Sequence, residues 1–473
     1  MPSVGGRPGY TFCEVVVLQP PARYLGGART ATPTTPTPPT TPPVVPADRS
    51  RAVSVGHRAA DGGDLELCRA RSPSGSRLGA LRYRDFRLIF FGQAVGATGT
   101  WMQLVAQGWL VYTLTDSPFY LGLVGLARAV PAFLFALVGG AVADRYDRRA
   151  IMAIANGVIS ALALTLGVLT LSGVVQVWHV VLLAFVMGTA FSFEMPSRQS
   201  LVSHTVEPKE VVNAVGLNSV AFNTAAVIGP ALAAILIELI GEGGVFLVNA
   251  ASHLVIVPAA LMMRPVKGSQ SQGGILANVV DGLRYVRRAP ELLGLVLLGA
   301  TLSLLARPYG QLMPVFARDI LEAGASGLGA LNAATGAGAL VGAVLVATSG
   351  SYPRRGLVLV LSGAGFGAAL VLFSLSTSFV LSLVIAIGLG FFSAFAGINS
   401  NAMLQTHSDP RMRGRVLSLH GLSMMGVVPL GVMLEGALGS LVGVPLVLGI
   451  GGAISFLVAL GVAFLAPKVR SLE

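Results

Sequence analysis

The sequence predicts an all-α integral membrane protein with twelve transmembrane helices in two pseudo-symmetric six-helix bundles. Three observations support this prediction: an apolar composition, a succession of long apolar segments, and an internal repeat. Of the 473 residues, 53% are hydrophobic and 11% are charged, whereas soluble domains carry roughly 25% charged residues. Such a chain cannot bury its apolar surface in one soluble core, so lipid must be its main solvent.

The chain from about residue 86 onward is a series of apolar segments, each long enough to cross roughly 30 Å of hydrocarbon as a helix. The first six segments are centred on 88–113, 118–142, 150–172, 177–197, 212–238 and 243–263. The second six are centred on 292–314, 324–348, 356–375, 378–403, 416–440 and 443–466.

These segments divide the chain into five regions. The regions are a Pro/Thr-rich cytoplasmic tail at 1–79, an N-terminal six-helix bundle at 80–264, a central cytoplasmic loop at 265–289, a C-terminal six-helix bundle at 290–467 and a cytoplasmic C-terminus at 468–473. The tail contains the stretch ARTATPTTPTPPTTPP, which cannot form a packed core and is expected to be disordered. The two cysteines, Cys13 and Cys68, both lie in this tail. We therefore expect no disulfide framework and no thiolate metal site.

The basic residues predict which side of the membrane each connection faces, because cytoplasmic loops are enriched in Lys and Arg. The opposite side carries Asp116, Glu238 and Glu242, with Arg318 as its one clear basic exception. Both termini are therefore predicted to be cytoplasmic. The connections assigned to the cytoplasm contain Arg145, Arg148, Arg149, Arg198, Lys209, Arg264, Lys267, Arg284, Arg287, Arg288, Arg354, Arg355, Arg411, Arg413, Arg415, Lys468 and Arg470. These residues are scattered between apolar runs and do not form a face suited to nucleic acid, despite the net charge of +11.

The sequence also repeats at a spacing of about two hundred residues. The stretch SYPRRGLVLVLSGAG follows the eighth segment as RYDRRAIMAIANG follows the second. Likewise THSDPRMRGRVLSLHGLS, after the tenth segment, parallels HTVEPKEVVNAVGLNS after the fourth. A six-plus-six duplication is typical of alternating-access transporters, in which two bundles rock about a shared midplane site.

The stretch GGAVADRYDRR, between the second and third segments, resembles the signature loop of the major facilitator superfamily. Asp147 stands where the family usually has glycine, and Val142 where it has leucine. Four further stretches resemble the bacterial branch that contains the enterobactin exporter and related drug exporters, over roughly residues 80–467. Those stretches are GTWMQLVAQGWLVYTLTDSPFYLGLVGLAR, MPSRQSLVSHTVEPKEVVNAVGLNS, NTAAVIGPALA and RMRGRVLSLHGL. The matching positions of the signature loop are Gly140, Asp144, Arg145, Arg148 and Arg149.

This resemblance implies a gate at the signature loop. Asp144 would face the start of the eleventh helix, near Arg415, and hold the outward-open state, since a helix N-terminus favours an anion. Gly140 would let a neighbouring helix end approach closely. Arg148 would reach Glu194, an acid near the cytoplasmic end of the fourth helix.

Two other features bear on the gate and on the direction of transport. The charges of Arg145 and Arg149 have an alternative role, in which they only fix topology. Gly229 and Pro230 in the fifth segment resemble the Gly-Pro motif of exporters. Because proline removes a backbone donor and bends a helix, this motif favours export.

Polar side chains on two segments are candidate substrate-binding residues. Gln103 and Gln107 lie on one face of the first segment, and Arg307 and Gln311 share one face of the seventh. The resemblance implies that the first, fourth, seventh and tenth helices line the central cavity. The alternative is that these groups form helix–helix hydrogen bonds, worth roughly 0.6 kcal/mol each.

Charged residues inside membrane segments are candidates for proton coupling, since they are costly unless they are functional or paired. The candidates are Arg128, Glu194 and Glu435. Arg128 lies mid-way along the second segment. The acids that could carry a proton, Glu194, Glu238 and Glu435, are not placed at the bilayer midplane, so proton coupling is implied by the resemblance rather than by these positions. His204 and His253 are expected to be capping or interfacial residues rather than metal ligands.

The sequence therefore predicts a secondary active exporter of small amphipathic compounds, drug-like or siderophore-like, driven by proton antiport. We expect a functional monomer in the bacterial inner membrane whose partners are the small-molecule substrate, the lipid bilayer and the proton gradient. We expect no nucleic acid, no cofactor and no metal. No phosphate-binding loop, zinc-protease motif or nucleophile elbow occurs, so enzyme chemistry is not predicted. The alternatives are an importer of a polar metabolite, a lipid flippase of the same fold, and a non-transporting membrane sensor.

Overall fold

A computed structural model of the chain describes residues 79–265, 283–349, 354–410 and 412–465. Every regular element in these ranges is a helix, and the ranges contain no strand. The predicted tail, most of the predicted central loop and the predicted C-terminus lie outside the described residues.

The first half of the chain forms five helices. Pro118 stands in the first turn of the second helix, where its missing N–H costs no hydrogen bond. Short 3₁₀ turns precede the first helix at Gly79–Arg82 and the fifth at Pro208–Glu210. The helices are α1 (Arg84–Thr115), α2 (Pro118–Arg145), α3 (Arg148–Leu171), α4 (Val177–His204) and α5 (Val211–Leu261).

Helix α5 covers both the fifth and the sixth predicted segments. Its 51 residues are interrupted at Gly241, whose φ of 70° and ψ of 173° are not helical. A positive φ of this size is accessible to glycine at little cost because glycine has no Cβ. The chain therefore changes direction between the segments predicted at 212–238 and 243–263.

The second half is also helical, and two of its predicted segments are divided. The seventh segment consists of two helices and a π-helical turn at Phe316–Ile320. The eleventh likewise contains a π-helical turn at Ser423–Val427. The helices are α6 (Pro290–Leu305), α7 (Tyr309–Val315), α8 (Gly324–Thr348), α9 (Arg355–Leu375), α10 (Phe379–His407), α11 (Arg413–Leu422), α12 (Val428–Val442) and α13 (Val444–Leu465).

Eight helical stretches in the described ranges are long and apolar enough to cross a membrane, with α5 and its preceding turn counted as one. Helices α2 and α12 add shorter apolar stretches, at Pro118–Ala132 and Val428–Val442. Helix α1, which carries charged residues in its first turn and three glutamines, is not among the eight. Length and apolarity thus identify eight candidate spans in the described ranges, and they do not confirm the predicted count of twelve.

Helix packing divides into contacts within each half and contacts between the halves. In the first half, α1 and α3 pack on α5, and α2 packs on α4. In the second half, α8 packs on α10, and α9 packs on α13. The two halves meet along α2 with α12 and along α5 with α8.

The core consists of aromatic and aliphatic side chains between the helices, while the outer surface is apolar as well. The buried rings of Phe316 and Phe373 lie 4.7 Å apart between centroids. On the outside, Leu441 is 80% exposed and Leu375 is 73% exposed. Large exposed apolar surfaces are unfavourable in water, so this surface is suited to contact with lipid.

Glycines allow α2 and α4 to approach closely. A Cβ at Gly188 of α4 would overlap the backbone carbonyl of Arg128, and a Cβ at Gly139 of α2 would overlap the carbonyl of Ser192. Small residues at helix interfaces let backbones pack closely in membranes. These two positions therefore set the distance between α2 and α4.

We expect Gly188→Ala to lower the midpoint of thermal unfolding in detergent, because the added methyl group must push α2 and α4 apart at a cost of about 1–3 kcal/mol. Gly388→Ala is the matched control, since a Cβ there meets no described atom within 4 Å. Alanine is the better helix former, so the control should be unchanged or more stable. Equal midpoints for the two variants would contradict the proposed contact.

Candidate functional site

His253 is the centre of a buried polar network that joins four helices of the first half. It lies in the second part of α5 and is 4% exposed. Its Nδ1 lies 2.8 Å from Oδ1 of Asn156 in α3, and its Nε2 lies 3.0 Å from Oγ1 of Thr100 in α1. Its ring contacts Phe191 of α4 edge-to-face, at 6.4 Å between centroids. The ring therefore lies between helices and does not cap a helix end.

Arg128 lies beside this network. Its guanidinium carbon is 5.1 Å from the centroid of the Phe191 ring. A cation over an aromatic face is attracted by the ring quadrupole. The contact places a positive charge of α2 next to the ring that touches His253.

Gln103 forms a second polar contact between helices. It is 3% exposed and accepts a hydrogen bond from the side-chain amide of Asn249 in α5. Its own amide nitrogen lies 3.6 Å from Sδ of Met187 in α4. Gln103 therefore forms the helix–helix hydrogen bonds that were the alternative to cavity lining. Gln107, also predicted to bind substrate, is buried one turn further along α1.

The second half brings Arg307 against α10. Nη2 of Arg307 donates to the carbonyl of Ser393 at 3.4 Å and lies beside Gly397, while its Nε is buried without a hydrogen-bond partner among the described residues. Gln311 is exposed and lies over Gly125 of α2, so it reaches the other half of the chain. Gln311 thus lies where the two halves face each other, while Arg307 lies against α10 of its own half.

Glu435 of α12 is 2% exposed, and neither of its carboxyl oxygens has a hydrogen-bond partner in the described ranges. One oxygen lies beside Gly451 of α13, near the carbonyl of Leu305. A buried carboxylate without a partner is costly, whereas a neutral carboxyl group is much less so. This environment suits a group that binds and releases a proton.

The signature loop begins in the last turn of α2. The backbone of Asp144 lies in α2, and its side chain lies outside the described part of the structure. No described atom lies within 4 Å of a Cβ built on Gly140. The close approach expected at Gly140 is therefore absent from the described residues, and Gly139 makes such an approach instead, to Ser192 of α4.

Asp147, the residue that departs from the family pattern, caps α3. Its side chain accepts a hydrogen bond from the backbone N–H of Arg149 at 3.1 Å. It also pairs with Nε of Arg149 at 2.7 Å. An acid at a helix N-terminus satisfies a free N–H and interacts favourably with the helix dipole.

Arg149 in turn ties the loop to the end of α5. Its Nη1 donates to the carbonyl of Met263 at 2.8 Å and lies 3.4 Å from that of Leu261. A cation next to the last carbonyls of a helix is stabilising. Arg149 therefore has a structural contact, while Arg145 is exposed at the end of α2.

Arg148 and Glu194 are both buried, and each forms a hydrogen bond with a residue close to it in sequence. Nε of Arg148 donates to the carbonyl of Ala143 at 3.1 Å. Glu194 accepts from Nε of Arg198 at 2.9 Å, one turn along α4. Glu194 is therefore ion-paired with Arg198 of its own helix. In a dry site, such pairing offsets the cost of burying the acid.

Gly229 and Pro230 lie inside α5, where the backbone stays helical. A Cβ on Gly229 would lie 2.6 Å from Cβ of Trp101 and 3.0 Å from the carbonyl of Thr98, so α1 passes close to α5 here. The sharp change of direction in α5 occurs at Gly241 instead. At Gly229, α5 therefore makes a close contact with α1.

Four residues at the end of the molecule predicted to face outside form what we name the outer cluster: Tyr112, Asp116, Arg318 and Asp319. Nη2 of Arg318 lies 2.6 Å from Oδ1 of Asp116, and its Nη1 donates to the carbonyl of Tyr112 at 3.2 Å. Its guanidinium carbon is 5.3 Å from the centroid of the Tyr112 ring. The hydroxyl of Tyr112 donates to the carboxylate of Asp319. The outer cluster therefore joins α1 to the π-helical turn of the second half.

Sequence reasoning missed the roles of His253 and Arg318. A signal existed for Arg318, because it is the basic exception on a side otherwise free of Lys and Arg. His253 gave no such signal, because its partners Thr100 and Asn156 lie far from it in sequence. No sequence pattern links these three residues. Within the described ranges, no group of three or more His, Cys, Asp or Glu side chains could hold a metal ion.

Residues 75–473 match the sequence model of a family described as transmembrane secretion effector. The chain is similar to the macrolide efflux protein A of Streptococcus pyogenes, with 22% identity over 373 residues that cover 77% of this chain and 92% of that protein. It is also similar to the enterobactin exporter EntS of Shigella boydii, with 25% identity over 357 residues that cover 75% of this chain and 85% of that protein.

A solved structure with the same fold is that of a bacterial homologue of the human lysosomal transporter Spinster, in an inward-facing and unoccupied conformation. The TM-score is 0.62, the sequences are 18% identical, and the match covers 83% of this chain and 97% of that one. At this identity, the likeness concerns the fold alone.

We expect Arg318→Gln to let the outer ends of the two halves separate. Each ion pair or hydrogen bond of a partly exposed charge stabilises the closed arrangement by about 1 kcal/mol or less. Loss of these contacts should therefore increase the fraction of molecules that are open at the outer end, while the protein stays folded. Spin labels on the exposed positions Thr113 and Ser326 report the distance between the halves by double electron–electron resonance.

The control for this measurement is Lys209→Gln, which breaks an exposed ion pair to Glu207 of 2.6 Å in another connection. That variant should keep the wild-type distance distribution. Identical distributions for Arg318→Gln and wild type would show that the outer cluster does not hold this end closed.

Proposed function

Because this chain belongs to the transmembrane secretion effector family of major facilitator transporters, we propose that it exports small amphipathic compounds across the bacterial inner membrane. The chain is a multi-pass membrane transporter and not an enzyme, as its family and its relatives are transporters. The relatives named for macrolide efflux and for enterobactin export support drug-like or siderophore-like substrates. They favour export over import of a polar metabolite or lipid flipping.

The proposed architecture has twelve transmembrane helices in two six-helix bundles, at 80–264 and 290–467. In this architecture, α5 supplies two spans separated at Gly241, α6 and α7 together form one, and α11 and α12 form another. Both termini are cytoplasmic, and the monomer is the functional unit. The contacts of α2 with α12 and of α5 with α8 are then the interface between the bundles.

The observation that carries the proposal is the closure of one end of the molecule by the outer cluster. Arg318 of the second half bonds to Asp116 and Tyr112 of the first half at this end. A contact between the two halves at the outer end is what an inward-facing state of an alternating-access transporter requires.

Asp144 and its loop form the proposed gate of the other state. When the cytoplasmic ends close, Asp144 meets the N-terminus of α11 near Arg415, and Arg148 and Glu194 support this contact. The capping of α3 by Asp147 and the tie from Arg149 to Met263 hold the loop in place in the meantime. Arg145 stays as a determinant of topology.

The proposed substrate path lies where the two halves face each other. Arg307 and Gln311 of the second half and Gln107 of the first half are its polar residues, and Gln103 positions α1 through Asn249. Arg307 carries a buried Nε without a described partner. A substrate acceptor could satisfy this donor, since unsatisfied buried donors are costly.

Proton antiport is the proposed source of energy, with Glu435, Arg128 and Glu194 as candidate coupling residues. Glu435 is the strongest of these, because its buried carboxyl lacks a described partner and suits reversible protonation. Glu194 is already paired with Arg198. Arg128 lies next to Phe191, where its charge can act on the bundle interior.

We expect energised, everted membrane vesicles that contain the protein to accumulate labelled enterobactin or a labelled macrolide. Everted vesicles present the cytoplasmic side outward, so an exporter loads them. An uncoupler should abolish the accumulation, because it removes the proton gradient. Vesicles from cells without the protein provide the background.

Two other outcomes would contradict the proposal. Accumulation that persists with the uncoupler would exclude proton antiport. If no tested drug or siderophore accumulates although the protein is inserted normally, the non-transporting sensor is the better explanation.

We expect Asp144→Asn to reduce the transport rate about tenfold or more, since it removes a charge–dipole interaction of up to ~2 kcal/mol in the gate. Membrane abundance should stay near the wild-type level. Asp147→Asn is the matched control, because asparagine still caps a helix N-terminus. Unimpaired transport in Asp144→Asn would exclude the proposed gate.

A further inference from the structure

His253 is a titratable side chain in the interior of the first half, and the proposed function does not use it. It is 4% exposed and lies among α1, α3 and α4, at the middle of the second part of α5. Both ring nitrogens have a polar partner on a different helix. A polar side chain is costly at such a position unless its hydrogen bonds are satisfied.

The partner of Nδ1 fixes where one ring proton lies. The side-chain amide nitrogen of Asn156 donates to the carbonyl of Met152 at 2.8 Å, so its Oδ1 faces the ring. This oxygen lies 2.8 Å from Nδ1 of His253. A carbonyl oxygen only accepts hydrogen bonds, so Nδ1 carries a hydrogen in both the neutral and the charged ring.

The partner of Nε2 can either donate or accept. The hydroxyl of Thr100 lies 3.0 Å from Nε2 and 2.9 Å from the carbonyl of Gly96, one turn before it in α1. A hydroxyl has one hydrogen and two lone pairs. It can therefore donate to a neutral Nε2, or rotate to the Gly96 carbonyl and accept from a protonated Nε2.

Both protonation states of His253 are thus fully hydrogen-bonded with no movement of heavy atoms. We infer that His253 is a proton-binding site of the transport cycle, switched by rotation of the Thr100 hydroxyl. The inference rests on the proposed proton antiport and adds a site to it. The proton binds at Nε2, the Nε2 lone pair forms the new N–H bond, and no other bond changes.

From α2, the charged group near His253 is Arg128, whose guanidinium lies against the Phe191 ring of α4. From α1 the ring faces Thr100, and from α3 it faces Asn156, neither of which titrates. Among the described residues, no carboxylate pairs with the ring. The imidazole is therefore not held permanently charged by an ion pair.

Arg128 also connects this site to the interface between the two halves. Its helix, α2, packs against α12, where a Cβ on Gly122 would lie 2.8 Å from Cα of Met433. Helix α2 therefore carries both the charge next to His253 and part of the contact surface between the two halves.

The first test compares gradient-driven transport with exchange, using the macrolide or enterobactin that the vesicle assay accumulates. We expect vesicles with His253→Gln to accumulate no more substrate than uncoupler-treated vesicles. Exchange of labelled for unlabelled substrate without a proton gradient (counterflow) should persist. Thr100→Val should also lose accumulation, and Thr100→Ser, which keeps the hydroxyl, should retain it. His204→Gln is the control, because His204 is exposed and bonds only within its own helix.

Each other result of this comparison is informative. Undiminished accumulation by His253→Gln would overturn the inference and leave proton antiport standing. Loss of both accumulation and counterflow at normal abundance would show a structural role and would also overturn it. Absence of uncoupler-sensitive accumulation in the wild type would instead contradict the proposed function.

The second test needs no substrate. Nitrogen-15 NMR of histidine-labelled protein, with His253 assigned by its absence in His253→Gln, follows the ring as the pH falls from about 8 to about 4, which spans the ordinary histidine titration. We expect a change from one N–H, at Nδ1, to two. A ring with a single protonation state throughout would overturn the inference.

Discussion

Polar side chains in the interior of an apolar helix assembly have no water to bond with, so each must find its partner within the protein, on its own helix or on another. This constraint determines most of the internal arrangement of the chain. His253 takes partners from α1 and α3, Gln103 takes Asn249 from α5, and Glu194 takes Arg198 from its own helix. These contacts fix the helices of the first half relative to one another more specifically than apolar packing does.

The exceptions to this constraint are concentrated in the second half. Glu435 has no described partner for either oxygen, and Arg307 has none for Nε. Unsatisfied buried groups raise the free energy of the state that contains them. A transporter that changes state can satisfy such groups in another state or with a bound substrate or proton. The second half therefore contains two buried polar groups, Glu435 and Arg307, that another state, a bound substrate or a proton can satisfy.

Charged side chains stabilise the helix ends on both sides of the molecule, but their partners differ between the two sides. On the side predicted to be cytoplasmic, Asp147 caps α3 and Arg149 bonds to the end of α5, all within the first half. On the other side, Arg318 bonds across the two halves. The cytoplasmic charges therefore act within one half, whereas Arg318 acts between the halves. The charged residues that predict membrane topology thus also help to determine which end of the transporter is closed. This role is visible only once the partners of each charge are known.

The sequence by itself determined the helical class, the segment positions and the family, since apolar length and charged connections are local properties of the chain. The helices of the structure fall on the predicted segments, and the family model covers residues 75–473. The sequence could not place Gln103 in a helix contact, assign a role to His253 or explain Asp147. Only the tertiary structure decided these, because a hydrogen bond between residues such as Thr100 and His253 depends on how α1 and α5 are packed. Helix packing in a membrane is set by shape and polar pairing between distant segments, which no local pattern records.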